Sequence, residues 1–77
     1  MPIVVKYFAS LRERMGREQD SVEASEVVTV ADVWSRVSGG TELPANTLSA
    51  VNMEYVGVSH PVQEGDEVAF FPPVTGG

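Results

Sequence analysis

Residues 3–8 are β-branched or aromatic apart from Lys6, a run whose length and composition predict a strand. Alternation sets Ile3, Val5 and Tyr7 on one face and Val4, Lys6 and Phe8 on the other, and the first set is the better core candidate. Phe8 then points away from that core. Ser10 stands three residues before Glu13, a capping-box spacing, while Leu11 and Met15 are i,i+4 and Gly16 supplies a stop, which predicts a short helix. Residues 17–20 are polar. In residues 21–27, Val22 and Ala24 alternate with Glu23 and Ser25, so a second strand is expected there, paired with the first.

The clearest helix begins at Thr29. Thr29 and Asp32 form another capping-box pattern, and Val30, Val33, Trp34 and Val37 fall at i, i+3, i+4 and i+7, a stripe that should face a sheet. Gly39-Gly40 ends it, and residues 41–47, with Pro44 and Asn46, read as loop. Strands are expected at residues 48–52 and, briefly, 55–58, separated by Met53-Glu54. After the turn at Gly65-Asp66, residues 67–71 form the last strand, with Val68 and Phe70 on one face and Phe71 on the other. Pro72-Pro73 then stops any ladder, because proline has no N–H. Two strands with a short helix, one main helix, then two or three strands describe an α+β domain in which one amphipathic helix covers a mixed sheet of four to five strands.

A chain of 77 residues is one domain, and at that size it buries only about 60% of the surface it exposes unfolded. A large internal substrate cavity is therefore not expected, and any active surface should be external. Eleven acidic against five basic side chains argue against a nucleic-acid partner and for partners with basic surfaces. The absence of cysteine, with His60 as the single histidine, excludes disulfides, thiol catalysis and a zinc site, so no metal is expected. No apolar run is long enough to cross a bilayer and no signal-peptide core precedes the first strand, so no membrane association and a cytoplasmic location are expected.

The candidate chemistry lies at the end of the sequence. Terminal glycines are common filler. Here, however, Gly76-Gly77 follow the stiff Pro72-Pro73 and a strand anchored by large apolar side chains. The domain at residues 1–71 would thus carry a flexible arm at 72–77, whose six residues span about 20 Å when extended. Glycine, lacking Cβ, keeps such an arm thin enough for a narrow channel. Its reactive atom would be the Gly77 carboxylate, inert until activated, for example by adenylation.

The octapeptide Phe70-Phe71-Pro72-Pro73-Val74-Thr75-Gly76-Gly77, preceded by Gly65-Asp66-Glu67-Val68-Ala69, resembles the C-terminal signature of the small subunits of molybdopterin synthase, which are ubiquitin-like sulfur carriers. The likeness extends to Tyr7-Phe8-Ala9 and to Ala50-Val51-Asn52, so it runs end to end, with looser matches at residues 41–47 and 55–58. It implies a β-grasp fold and a co-substrate, not a catalyst. In that cycle a ubiquitin-activating-like enzyme consumes ATP to adenylate Gly77, and a sulfurtransferase converts it to a thiocarboxylate. A large subunit, in a heterotetramer, then receives the tail and transfers the sulfur to the pterin precursor. No bound cofactor is implied. Gly76 and Gly77 would be the reacting end, and Pro72, Pro73, Val74 and Thr75 the segment threaded into the partner. Phe8 and Phe71, with Tyr55, are candidates for a docking patch, and ordinary packing is an equal alternative.

Trp34 is expected in the core, His60 in a loop, Lys6 as a solvated strand residue able to meet a partner's carboxylate, and Glu64, Asp66 and Glu67 as turn charges that a basic activating enzyme could read. A thiamine-pathway sulfur carrier would share fold, glycines and thiocarboxylate, although Phe70-Phe71-Pro72-Pro73 argues against it. A ubiquitin-like modifier, joined through Gly77 to lysines of other proteins, needs the same activation, and a plain interaction module would tolerate loss of the tail.

Overall fold

The computed structural model describes residues 1–73. Its elements run β1 (Ile3–Tyr7), α1 (Ser10–Met15), β2 (Gln19–Val22), a 3-10 turn at Ala24–Glu26, α2 (Val30–Ser38), β3 (Leu48–Val51), β4 (Glu54–Val56) and β5 (Glu67–Phe71). The five strands form one sheet in the order β2-β1-β5-β3-β4. β1 and β5 are parallel neighbours at its centre, and the other pairs are antiparallel. One face is covered by α2 and the other is open.

The alternation expected of the first strand holds: Ile3, Val5 and Tyr7 are buried, and Val4 and Lys6 only partly so. With Val68 and Phe70 of β5 they form the floor on which Val30, Val33 and Trp34 of α2 pack, while Val37 joins as a half-buried member. The Trp34 ring meets Phe70 edge-on at 5.1 Å, and its indole Nε1–H donates to the Thr41 carbonyl at 2.9 Å, which satisfies the polar end of a buried ring. Trp34 is therefore core. The Thr29–Asp32 capping box is also formed: Thr29 Oγ1 accepts from the Asp32 amide, and the Asp32 carboxylate accepts from Thr29 and Val28. Those amide donors, Val28 first, hold the Asp32 carboxyl below its ordinary value.

Three local expectations are corrected. The second strand occupies Gln19–Val22 and not residues 21–27. Val22 pairs with Ile3, the first residue of β1, so the residues beyond it have no strand to pair with and turn into the 3-10 segment. Pairing instead extends back into the polar stretch, Lys6 facing Gln19. Secondly, Ser10 does not cap α1; Ala9 takes the cap position with φ 52° and ψ −129°, and no side chain satisfies the first turn. Thirdly, Glu54 belongs to β4, and the hairpin turns on Asn52 and Met53, both at positive φ (50° and 71°), as a two-residue primed turn requires. Asn52 Oδ1 accepts from the Glu67 amide at 3.0 Å, which ties this turn to the start of β5.

Candidate docking face and tail exit

On β5 the side chains opposite the core are Glu67, Ala69 and Phe71, and the register decides what stands beside each. Leu48 faces Phe71, Ala50 faces Ala69 from one side, and Lys6 faces Ala69 from the other. Tyr55 pairs with Ala50. Tyr7 pairs with Phe70, so the next residue, Phe8, lies beside Phe71, and its amide donates to the Phe70 carbonyl at 3.2 Å. The Phe8 and Phe71 rings stack with centroids 4.7 Å apart and planes 9° from parallel. Tyr55 leans on the other side of Phe71 at 5.9 Å.

The structure thus brings together all three aromatics named from the sequence, on the open face. Tyr55 is 72% exposed and Phe8 41% exposed, so neither is a core residue. Phe71 packs against Phe8 and Tyr55 and is half-buried, with part of it still at the surface. Leu48, 39% exposed, extends the apolar surface. Its outward position follows from alternation with Ala50 along β3, a signal present in the sequence. A shallow groove lined by Leu48, Tyr55, Val56 and Val58 continues the patch along β4. Lys6 and Glu67 form a 3.5 Å ion pair on the same face, each about 40% exposed, at 40% and 42%.

The strands set where the chain leaves. β1 and β5 run in the same direction, so Phe8 and Phe71 lie at one end of the sheet. Pro72 is half-buried and Pro73 exposed. The chain therefore departs beside the aromatic patch. Val74, Thr75, Gly76 and Gly77, on which the expected chemistry falls, lie outside the described residues. Behind the patch, Tyr7 donates to Asp20 Oδ2 at 2.9 Å, and Arg17 bonds the same carboxylate as well as the carbonyls of Met15 and Val37 at 3.0 Å each. Burial, with the Asp20 carboxylate second, raises the Tyr7 phenol above its ordinary value. This network clasps both helix ends to the central strand and was not visible in the spacing of the residues. His60 is an exposed loop residue whose carbonyl accepts from Val30 at 3.0 Å. Among the described residues, no cluster of metal-ligating side chains is present, and no helix is long and apolar enough to cross a membrane.

A family model described as the ThiS family matches residues 5–77. The chain belongs to this family. It is 38% identical to the molybdopterin synthase sulfur carrier subunit of Escherichia coli, over 97% of this chain and 99% of that protein. The subunit of the same name from Haemophilus influenzae is 34% identical over 95% of this chain and 96% of its own. Among solved structures, SAMP1 from Haloferax volcanii, a small archaeal modifier protein, superimposes with a TM-score of 0.83 at 28% identity, covering 100% of both chains. The fold is the ubiquitin-like β-grasp, with five strands and one main helix. What this family member offers chemically is an external apolar surface at the root of its C-terminal segment.

Proposed function

We propose that this chain is the sulfur-carrying subunit of a molybdopterin synthase, with the sulfur held as a thiocarboxylate on Gly77. The observation that carries the reading is the near full-length similarity to proteins that bear that name, from two bacteria. The geometry supports it, because the stacked aromatics stand where β5 leads into Pro72-Pro73. A partner gripping that patch would receive the following residues in its own active site. In this reading the domain at residues 1–71 docks and residues 72–77 do the reaching.

The carrier would then work as a co-substrate in the cytoplasm, where ATP is available. An adenylating enzyme transfers AMP from ATP to the Gly77 carboxylate and releases pyrophosphate. The persulfide of a sulfurtransferase attacks that acyl group and AMP leaves, and a thiol then reduces the resulting acyl disulfide, releasing the thiocarboxylate and a disulfide. In the complex with a large subunit, the thiocarboxylate sulfur passes to the pterin precursor and the Gly77 carboxylate is regenerated. The sulfur is carried on the main chain, and the sequence, which has no cysteine, has no side-chain thiol to compete with it. Nothing in the cycle asks this subunit to hold a cofactor or a metal.

The test is ATP–pyrophosphate exchange with the cognate adenylating enzyme, comparing the full chain with one lacking Gly77. Exchange is expected only with the full chain, and equal exchange would overturn the reading. A second reading, protein modification through Gly77, is favoured by the similarity to the archaeal modifier. It would show as conjugates heavier than the free chain that resist reducing agents.

A further inference from the structure

The Lys6–Glu67 pair is not used by the cycle above, yet it stands on the same face as the aromatic patch. Glu67, Ala69 and Phe71 share one side of β5, and Lys6 faces Ala69 from β1. Four residues of strand separate Glu67 from Phe71 by about 13 Å. A protein–protein interface of ordinary size covers roughly 800 Å² on each partner, a disc of roughly 16 Å radius. A partner whose contact area is centred on Phe71 therefore also covers the pair.

Covering it changes its energetics. In the free chain both side chains are about 40% exposed, at 40% and 42%, and their 3.5 Å separation is longer than a charge-assisted hydrogen bond. Such a pair adds little to folding. Once desolvated, an ammonium with three donors and one distant acceptor needs further acceptors, and removing either member leaves its mate as an unpaired charge in the interface. Ala50 and Ala69 form the floor beside it and offer no polar group to help.

We propose that Lys6 is a specificity-determining residue for docking: the surface that covers the aromatic patch carries a carboxylate placed to accept from the Lys6 ammonium. This rests on the docking reading of the face. A partner that matched the aromatics with a wholly apolar surface would strand the ammonium and be rejected, so the pair selects among proteins able to grip Phe8, Tyr55 and Phe71.

The experiment is a titration of the cognate large subunit with wild type, Phe71→Ala, Lys6→Met, Lys6→Arg and the double variant Lys6→Met/Glu67→Gln, with thermal denaturation of each free chain. Phe71→Ala is expected to weaken binding at least thirtyfold, which checks the docking face itself. Lys6→Met should weaken it at least tenfold, Lys6→Arg less than threefold, and the double variant should recover part of the loss. All Lys6 and Glu67 variants should melt close to wild type. Wild-type affinity for Lys6→Met, beside a weakened Phe71→Ala, overturns the role of Lys6 and leaves the docking face standing. Failure of Phe71→Ala to weaken binding, or of wild type to bind at all, overturns both.

Discussion

Ala9 occupies a conformation that suits glycine. At φ 52° and ψ −129°, between Phe8 and Ser10, with the Leu11 amide donating to the Phe8 carbonyl at 3.1 Å, it is the second residue of a turn of type II′. A Cβ there is strained, and Ala9 is exposed, so its methyl gains nothing from the core. Ala9→Gly should therefore stabilise the chain by about 1 kcal/mol, the relief of strain exceeding the added freedom of the unfolded state. In a domain this small that is a rise in melting temperature of about 4 °C or more, measurable by calorimetry. An unchanged or lower melting temperature would show the turn to be unstrained. Nothing in the sequence pointed to this position. The Ser10–Glu13 spacing suggested an ordinary cap, and the parallel pairing of β1 with β5, a contact between distant parts of the chain, fixes where the chain must turn.

The elements differ in how far local sequence decides them. In α2 every local signal agrees, and the capping box, the apolar stripe and the glycine stop at Gly39 all appear in the fold. Thr29→Ala should accordingly cost about 1 kcal/mol, read from urea denaturation. The pH dependence has a definite sign. Asp32 is held below its ordinary value in the folded chain, so its contribution is present above the ordinary aspartate value and is lost as pH falls through the folded one. Asp32→Asn should remove that part of the acid sensitivity, and an unchanged acid limb would contradict the box. The strand at residues 21–27 was misplaced for the opposite reason. Val22 and Ala24 alternate correctly, but an edge strand pairs only as far as its partner extends, and where β1 begins cannot be read from the residues that pair with it. The aromatic patch lies between these cases. Period-2 alternation put Phe8 and Phe71 outward, whereas bringing Tyr55 and Leu48 beside them required the strand order β1-β5-β3-β4.

At the scale of the molecule, the parallel pairing at the sheet centre places the aromatic patch and the departure of the C-terminal segment at one end. Under the proposed function, that arrangement would let one small domain grip a partner and hand it the residues that follow. Seventy-seven residues favour an external over a large enclosed site, and the chain carries eleven acidic against five basic side chains. The claim on which this account depends is that the sulfur travels on Gly77. The most direct measurement is intact mass, with tandem mass spectrometry of the C-terminal peptide, after incubation with ATP, the cognate adenylating enzyme and a sulfur donor. Replacement of one oxygen by sulfur is expected, located at Gly77 and absent when ATP is withheld. An unmodified Gly77, or sulfur found at any other residue, would contradict it.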